Sequence, residues 1–578
     1  MKRRSALLRP AVLAVVLAAL AALVLRPAPA QADDAGHLLY TPTSATEANA
    51  YARVIRLEHA GADNGRLLAT FEHWNTDGTP ARYVIRASDD DGATWSTLAT
   101  VGDPLTGPGH PVSQMWQPSL FEFPHQLGAY PAGTLLLVGN MVPADGTYTQ
   151  FYAWRSVDHG RTWQPVGGIQ HGGTFGKGIW EPFLALDARG RLVAYFSDER
   201  DAPAHSQMIV HVVSTDGGDT WGPVVRDVAS AVAADRPGMP TVTRLGPHGD
   251  FVMSYEVCGR PNCEVRYKSS PDGDRWQPTD LGTLAATGDG RYLGHSPYLT
   301  WDPSAHALLL AGQRVYSTVG DRPTGEDYRA VLVNADGGRG PWSWAPSPWT
   351  VSPASSSCNA NYSPDLLVEG GSLRYTAPTS VGDSGPCGEA TGTAPIPALP
   401  FHDRFATAGQ AGWIDYGGCW QVDGDAYAVT CGGDQGPKAL TGSTGWTDYT
   451  LAADVRITSA SGDAGVLARA TDPAVGPDSH AGYTAFVDVG GGTLTVARQQ
   501  YAYEPLATVA VPGGVHAGTW YRISFTAKGF DLSATLTSAD GASLAHVSVT
   551  DPYRSFPSGL VGLRDHAGTA EFRDVTVS

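Results

Sequence analysis

The chain has 578 residues, of which 42% are hydrophobic and 17% charged, and its formal net charge is −18. This length exceeds what one ordinary hydrophobic core can organise, so two or more domains are expected. The acidic balance disfavours nucleic acid and anionic membranes as partners, and it suits a neutral polymer better than a polyanion.

The first 32 residues have the pattern of a signal peptide. A basic start at residues 2–9 precedes an apolar stretch at 11–25, and Ala30-Gln31-Ala32 fits a small-x-small cleavage site. The apolar stretch is short for a membrane span, so a retained anchor is the weaker alternative. We therefore expect a secreted, extracellular protein that has no membrane contact after cleavage.

Six cysteines fit an oxidising compartment. Six cysteines allow fifteen pairings, and proximity along the chain favours three local ones. These are Cys258 with Cys263, Cys358 with Cys387, and Cys419 with Cys431. The spacing of cysteine and histidine is not that of a zinc site, so neither a metal nor a cofactor is predicted.

An eight-residue phrase recurs in the first two-thirds of the chain. SDDDGATW (88–95), SVDHGRTW (156–163) and STDGGDTW (214–221) share Ser-x-Asp-x-Gly-x-Thr-Trp, and SSPDGDRW (269–276) and NADGGRGPW (334–342) are looser copies. Asp and Gly favour a tight turn, and the Trp ring is an apolar plug beneath it. Strand-like runs flank the copies. The phrase is the Asp-box, and its recurrence predicts a six-bladed β-propeller over 33–388 that resembles the sialidase type.

A linker is predicted at 389–400, where EATGTAPIPALP is rich in Pro, Ala, Gly and Thr. Beyond it, apolar and polar residues alternate in runs such as YTLAADVRI and WYRISFTAKG. These runs predict an antiparallel β-sandwich over 401–578, which resembles concanavalin-like or laminin-G-like jelly rolls. The resemblance implies a candidate carbohydrate-binding domain. Its aromatic candidates are Trp413, Trp420 and Tyr483, and each fits a core position equally well.

Two glutamates stand in strand-like runs that are otherwise apolar. Glu181 lies in GIWEPFLAL and Glu256 in FVMSYEVCG, 75 residues apart, which is a little over one blade. A carboxylate in such a run is costly unless it faces a cavity. A glycosidase needs such a pair, because one acid protonates the leaving oxygen while the other attacks the anomeric carbon or activates water. The alternative for each is a salt-bridged structural acid.

The stretch from Glu181 to Gly259 resembles the exo-α-1,5-L-arabinanases of glycoside hydrolase family 93. IWEPFLAL, VAYFSDERD, DRPGMPTV and SYEVCG carry this resemblance, and earlier segments such as YARVIRL and MWQPSLFEFP extend it. It implies a six-bladed retaining hydrolase that acts from the non-reducing end of linear arabinan and releases arabinobiose. It also places the catalytic carboxylates on Glu181 and Glu256, with Glu181 favoured as nucleophile and Glu256 as acid/base.

The resemblance further implies a late-blade tyrosine, for which Tyr362 is the candidate and Tyr375 the second choice. Polar residues in the matching motifs are expected to bind sugar hydroxyls, and two tryptophans are expected to stack on sugar faces. The polar set is Arg53, Glu72, Gln117, Asp198, Arg236 and His295, and the stacking pair is Trp116 and Trp180. Each of these residues fits a structural role equally well. The implied partner is linear arabinan or a related plant cell-wall polysaccharide, bound by a monomer.

Two other functions are compatible with the sequence. An exo-sialidase shares the scaffold, but it needs three arginines that bind the substrate carboxylate by forked hydrogen bonds. Arg53, Arg236 and Arg314 are the candidates, although YARVIRL lacks the Arg-Ile-Pro core expected around the first of them. A non-catalytic glycan-binding propeller is the second alternative, which the presence of both Glu181 and Glu256 disfavours.

Overall fold

The computed structural model describes residues 36–578 apart from 43, 45–46, 75–79, 105–111, 357, 383–384, 406–409 and 432–434. Within this part the regular elements are β-strands and two short 3-10 helices, Gly61–Asp63 and Pro261–Cys263. The all-β class is confirmed, because six propeller blades precede the two larger sheets of a β-sandwich. The predicted signal peptide at 1–32 lies outside the described residues.

Each blade is an antiparallel sheet whose first strand lies innermost and contacts the first strands of the neighbouring blades. Blade 1 consists of Ala48–Arg56, Leu67–Trp74, Arg82–Ser88 and Ser96–Gly102; blade 2 of Val112–Glu122, Leu135–Pro143, Thr149–Ser156 and Gln164–Gly172; blade 3 of Ile179–Leu186, Leu192–Asp198, Met208–Ser214 and Val225–Val228. Blade 4 consists of Arg236–Arg244, Phe251–Cys258, Glu264–Ser270 and Thr283–Leu284, with Arg291–Gly294 and Arg314–Ser317 added at its edge. Blade 5 consists of Tyr298–Asp302, Ala307–Ala311, Ala330–Asn334 and Ser343–Pro346, and blade 6 of Asp365–Glu369, Ser372–Ser380, Cys387–Pro395 and His37–Leu38.

Blade 6 closes the ring, and it corrects the predicted linker at 389–400. Residues 389–395 belong to the strand Cys387–Pro395, which pairs with Ser372–Ser380 on one side and with His37–Leu38 on the other. The Ala, Gly and Thr residues are typical of a linker, but here they are small side chains of a largely buried strand. Composition misses this strand because its outer partner comes from the other end of the propeller sequence.

The repeated Ser-x-Asp-x-Gly-x-Thr-Trp phrase forms the same turn in blades 1, 2 and 3. In blade 2, Gly160 N donates to Ser156 Oγ (2.8 Å), and Thr162 N donates to Asp158 Oδ1 (2.8 Å). Trp163 Nε1 then donates to Gly160 O (3.0 Å) and closes the turn. The copies in blades 1 and 3 repeat these bonds. Each turn joins the third and fourth strands of its blade, so the phrase stabilises the periphery and not the axis.

The sandwich consists of two facing antiparallel sheets. The larger contains Phe401–Asp403, Trp420–Asp423, Ala426–Val429, Tyr449–Ile457, Tyr521–Lys528, Asp531–Ser538, Ser543–Thr550 and Ala570–Val577. The other contains Ile414–Tyr416, Lys438–Thr441, Asp463–Thr471, Ala481–Asp488, Thr493–Gln500, Tyr503–Ala510 and Leu560–His566. Of the aromatic candidates, Trp413 and Tyr483 are buried in the core between the sheets, and Trp420 packs against that core.

The sandwich packs against blades 4 and 5. Leu440 and Leu467 of the sandwich share one apolar cluster with Trp342 and Trp344 of the propeller. At the same contact, the backbone N–H of Trp344 donates to Thr444 Oγ1 (3.0 Å). An apolar cluster and direct hydrogen bonds therefore join the two parts.

The cysteines pair as predicted. The disulfides are Cys258–Cys263, Cys358–Cys387 and Cys419–Cys431. Two of them lie in the propeller and one in the sandwich, so both parts carry a covalent cross-link of the kind found in oxidising compartments. Among the described residues, no helix has the length and apolar character needed to cross a membrane.

Candidate active site

The inner region of every blade carries a non-glycine residue in the left-handed backbone region. The six are Tyr51, Gln117, Glu181, Met239, Ser296 and Ser363, with φ of 60°, 53°, 56°, 56°, 42° and 55°. In blades 1 to 4 the residue stands at a break in register with the second strand, and in blades 5 and 6 it precedes the first strand. Such conformations cost energy and cluster at functional sites. We name this set the bulge ring.

Glu181 is the member of the bulge ring in blade 3. Its N–H donates to Gln117 Oε1 (3.0 Å), and Gln117 Nε2 donates back to Glu181 Oε1 (3.4 Å). Burial raises the pKa of Glu181 to about 8, a hydrogen bond from Ser197 opposes this rise, and the negative charge of Glu256 adds to it. The carboxyl group is therefore inclined to hold a proton at neutral pH.

Glu256 lies on the second strand of blade 4. Its Oε2 accepts the N–H of Ser296 (2.8 Å), the bulge-ring residue of blade 5, and His295 Nδ1 lies 3.9 Å from the same oxygen. Burial raises the pKa of Glu256 to about 7, while this amide hydrogen bond and the charge of Arg236 oppose the rise. Within the described part of the chain, neither Glu181 nor Glu256 forms an ion pair with lysine or arginine, unlike a salt-bridged structural acid.

Tyr362 is near both acids. Burial raises the pKa of Tyr362 well above its usual value, and the charges of Glu256 and Glu181 raise it further. Tyr375, the second choice, is fully buried in blade 6, where its hydroxyl donates to Asn361 Oδ1 (2.5 Å). The structure thus brings Tyr362 to the two acids and leaves Tyr375 in the framework.

Glu72 occupies in blade 1 the position that Glu256 occupies in blade 4. Both are the sixth residue of a second strand, and both accept a bulge-ring N–H from the next blade. For Glu72 this donor is Gln117 N (2.8 Å), and burial raises the pKa of Glu72 to about 7. Gln117 is consequently held between Glu72 and Glu181. These contacts orient the backbone at Glu181. The sequence did not predict this orienting role for Glu72 or Gln117, which were both expected to bind sugar hydroxyls.

Glu199 is a buried acid that the sequence analysis did not select. Its Oε2 accepts hydrogen bonds from Trp180 Nε1 (2.9 Å) and from Gly178 N (3.2 Å), and its Oε1 pairs with Arg236 (2.5 Å). Asp198 instead pairs through both oxygens with Arg200 (2.9 and 2.7 Å). The only signal in the sequence was the consecutive acids of SDER after an apolar strand.

The side chains of Arg53 and His295 differ in how deeply they are buried. Arg53 is buried, donates to Ser363 Oγ (2.8 Å), and stacks on the ring of Tyr51 at 4.3 Å, so it joins blades 6 and 1. His295 is partly exposed beside Glu256, and burial together with the charge of Arg314 lowers its pKa. His295 is therefore the more accessible of the two.

Trp116 and Trp180 precede the bulge-ring residues of blades 2 and 3 and belong to a longer aromatic row. The row runs Trp74, Trp116, Trp180, Phe175, with centroid separations of 5.5, 6.4 and 5.5 Å and interplanar angles of 18°, 33° and 5°. Its two end members are exposed, Trp74 by 40% and Phe175 by 60%. Neither end member was singled out from the sequence.

Two further buried acids near Arg53 escaped the sequence analysis. Glu389 Oε1 accepts the N–H of Ala52 (3.0 Å), and burial raises the pKa of Glu389 well above its usual value. Burial raises the pKa of Asp365 to about 6. Both stand in strands of blade 6, and Glu389 fell within the stretch predicted to be a linker.

One cluster in the described residues has a composition suited to a metal, namely Cys258, Cys263 and His295. The two sulfur atoms are joined in a disulfide, so neither is a thiolate that could ligate an ion. The arrangement offers acid–base and nucleophilic chemistry by carboxyl groups.

Comparison with known proteins gives two kinds of match. The model of the 3-keto-alpha-glucoside-1,2-lyase-like domain matches residues 406–578, within the sandwich. A GH93 α-L-arabinofuranosidase of Fusarium graminearum, solved with arabinobiose, is 26% identical over 62% of this chain and 97% of its own, with a TM-score of 0.52. A Penicillium chrysogenum α-L-arabinanase, also solved with arabinobiose, is 27% identical over 62% of this chain and 97% of its own, with a TM-score of 0.51.

No curated protein sequence matches the chain. The structural matches confirm the resemblance to glycoside hydrolase family 93 and support a glycoside hydrolase. They agree with the independent observation of two buried carboxyl groups on adjacent blades, neither of which has a lysine or arginine partner in the described part of the chain.

Proposed function

We propose that this chain is a secreted, retaining glycoside hydrolase that cleaves α-1,5-linked L-arabinan from the non-reducing end and releases arabinobiose. The observation that carries the proposal is the buried pair Glu181 and Glu256, in a propeller similar to enzymes solved with arabinobiose. The three disulfides support an extracellular location.

The reaction is a double displacement. Glu181 attacks the anomeric carbon while Glu256 protonates the leaving oxygen, so the glycosidic bond breaks as a glycosyl–enzyme ester forms. Glu256, now ionised, takes a proton from water, whose oxygen attacks the same carbon and releases the Glu181 carboxylate. This mechanism requires the two carboxyl groups to be about 5–5.5 Å apart.

The pair must begin with one proton and one negative charge. Because the charge of Glu256 raises the pKa of Glu181, the two acids share a single proton near neutral pH. Burial raises the pKa of both acids, which keeps this proton within the pair. Attack by Glu181 requires the proton to be on Glu256 when the sugar binds.

The surrounding residues divide into ligands and supports. Tyr362 stands beside the reacting centre, Trp116 and Trp180 offer faces for sugar rings, and His295 offers a hydrogen-bonding group for sugar hydroxyls. Arg236 supports the framework, because its guanidinium group already binds Glu199, Gln207 and Ser206. Gln117 and Glu72 orient Glu181. Arg53 and Asp198 support the framework, since their polar atoms already bind Ser363 and Arg200.

The arginine contacts favour arabinan over a sialoside. A sialidase directs three guanidinium groups at one substrate carboxylate. Here Arg53 binds Ser363, Arg236 pairs with Glu199, and Arg314 pairs with Asp327 (3.1 Å).

We further infer that the sandwich, residues 401–578, holds the enzyme on plant cell-wall polysaccharide. Its match to a domain model named for a glucoside lyase supports a carbohydrate-related role. The sandwich packs against blades 4 and 5, so it remains in contact with the domain that carries the active site. The enzyme acts as a monomer without nucleic acid or membrane.

The test is incubation with debranched arabinan, sialyllactose and aryl arabinofuranosides, with products separated by chromatography and their anomeric configuration read by NMR. We expect arabinobiose from debranched arabinan with retained configuration, and no product from sialyllactose. Glu181→Gln, purified in parallel, excludes a contaminating hydrolase. Release of sialic acid would establish the sialidase instead, and binding of glycans without any hydrolysis would establish the non-catalytic propeller.

A further inference from the structure

The surroundings of the two acids are chemically divided. Blades 1 to 3 contribute the aromatic row Trp74, Trp116, Trp180 and Phe175. Blades 4 and 5 contribute charged side chains instead, with Arg236, His295 and Arg314 exposed by 39%, 34% and 37%. The two sides therefore suit different chemical groups.

Two rings of the aromatic row are held in place by hydrogen bonds to buried acids. Trp74 Nε1 donates to Glu72 Oε2 (2.8 Å), and Trp180 Nε1 donates to Glu199 Oε2 (2.9 Å). These bonds tie the polar edges of Trp74 and Trp180 to buried acids and fix the orientation of those two rings, so little of their side-chain entropy is left to lose when a ligand covers them. The row is consequently a preorganised surface.

The ends of the row are exposed without an evident benefit to folding. Phe175 is 60% exposed and Trp74 is 40% exposed, although each stacks on a more buried tryptophan. Contiguous exposed apolar surface of this kind marks a place where a ligand removes it from water.

The row also extends from the acids toward solvent. Its central rings directly precede Gln117 and Glu181 in sequence, and both of its end rings are exposed. An enzyme that removes two units from a chain end leaves the rest of the polymer outside the axial site. Furanose units carry no charge for the arginines to bind, but their C–H faces pack well on aromatic rings.

We propose that the aromatic row is a binding track for the neutral sugar units beyond the cleaved bond, with Trp74 and Phe175 as its outer contacts. The track rests on the proposed function, because it takes its direction from the Glu181–Glu256 pair. It makes the enzyme favour long chains over short ones, which the pair alone does not require.

The experiment is a chain-length series. Values of kcat/KM are measured on linear arabino-oligosaccharides from three to eight units for wild type, Trp74→Ala, Phe175→Ala and the control Val157→Ala. Val157 is 68% exposed on an outer turn of blade 2, remote from the acids, so it matches the loss of an exposed apolar side chain. We expect kcat/KM to rise with length in wild type and Val157→Ala.

For the two aromatic variants we expect a loss of about tenfold at eight units, carried by KM, that shrinks as the substrate shortens. An equal loss at every length would overturn the track, because it would indicate structural damage at the acids. An unchanged length dependence would overturn it as well.

A wild type that hydrolyses no arabino-oligosaccharide would contradict the proposed function separately. Retardation in gels containing linear arabinan then tests the track alone. Weaker retardation of Trp74→Ala and Phe175→Ala than of Val157→Ala supports it, and equal retardation of all three overturns it.

Discussion

The propeller axis and the sandwich both bury charged groups. Asp565 in the sandwich is buried with a pKa raised to about 7, as the axial acids are, but other charged groups there, such as Lys438 and Asp463, have partners. In the sandwich, Lys438 Nζ donates to three backbone carbonyls, and Asp463 pairs with Arg564 and His566. At the axis, Glu181 and Glu256 are buried without a lysine or arginine partner among the described residues. A buried charge with partners supports a fold, whereas a buried acid without them raises its pKa and becomes available for proton transfer.

Left-handed residues also occur in the sandwich, such as Arg469 (φ 52°) and Asp574 (φ 49°), but those of the bulge ring recur once per blade at the axis. The axis holds the six left-handed residues of the bulge ring, one from each blade. The sandwich core is instead filled by apolar side chains such as Leu451, Val466 and Phe525, all fully buried. The free-energy cost of the strained backbone at the axis is offset by packing elsewhere in the protein. Substitutions in the two regions should therefore separate activity from stability.

The largest effect is expected from Glu181→Gln, which keeps the shape of the side chain but removes the nucleophile. We expect kcat to fall at least about 1,000-fold, because the covalent step is lost. The melting temperature should stay the same or rise, since the amide has no charge to bury. Azide should restore turnover of aryl arabinofuranosides in Glu256→Gln and not in Glu181→Gln if the assigned roles are right.

The matched variant in the sandwich is Asp463→Asn. It removes one partner of Arg564 and His566, so we expect a loss of stability of about 2 kcal/mol with kcat unchanged. If Asp463→Asn were as inactive as Glu181→Gln, the division between the two regions would be wrong.

The second effect concerns the sandwich core. Phe525→Ala opens a cavity at a fully buried position and should lower the free energy of unfolding by about 3–5 kcal/mol. Below the unfolding transition we expect the kcat of the folded protein to match wild type. Denaturant unfolding measures the first quantity, and initial rates at low temperature measure the second. A parallel fall in kcat would show that the axis depends on the sandwich core.

The third effect tests whether Gln117 orients Glu181 or binds sugar. Gln117→Leu removes the acceptor of the Glu181 N–H and the donor to its carboxylate. We expect kcat to fall about 10- to 100-fold with KM nearly unchanged, because misplacement of a catalytic group costs the transition state. A rise in KM with unchanged kcat would restore Gln117 to the sugar ligands predicted from the sequence.

The sequence predicted the blades and the acid pair for physical reasons that are local. An eight-residue turn repeats because each blade needs the same outer turn, and Glu181 and Glu256 stand out because carboxylates are costly in apolar strands. In blades 2 to 6 the bulge-ring residue is the middle residue of a three-residue motif that ends in proline, namely WQP, WEP, GMP, HSP and YSP. These motifs did not predict the left-handed conformation, because that conformation is a property of the backbone and the middle residue differs from blade to blade.

Other features depend on contacts that a sequence does not display. Glu199 binds Trp180 and Arg236, which belong to neighbouring strands, and Gln117 of blade 2 binds Glu181 of the adjacent blade 3. The strand Cys387–Pro395 has its outer partner about 350 residues earlier, so local composition presented it as a linker. Each of these errors concerned which residues meet, whereas the strand periods were interpreted correctly.

The smallest expected effect is in the pH dependence of stability, and it distinguishes the axial acids from Asp463 by sign. Burial raises the folded-state pKa of Glu72, Glu181 and Glu256 to about 7, 8 and 7, whereas unfolded carboxyl groups titrate near 4.3. Each group stabilises the fold fully below its unfolded pKa and loses that contribution as the pH rises through its folded pKa. Stability should therefore fall as the pH rises from about 5 to about 8.

Asp463 in the sandwich behaves oppositely, because His566 and Arg564 lower its pKa, so its contribution is lost only as the pH falls below its ordinary range. Melting temperatures from about pH 3 to pH 9 measure both limbs. The double variant Glu181→Gln, Glu256→Gln should make the neutral limb shallower, with Glu72 and Asp565 still titrating there, and leave the acid limb unchanged. Asp463→Asn should make the acid limb shallower and leave the neutral limb unchanged. Parallel curves for all three proteins would mean that these acids titrate alike in the folded and unfolded states, and the contrast between axis and sandwich would then have no electrostatic basis.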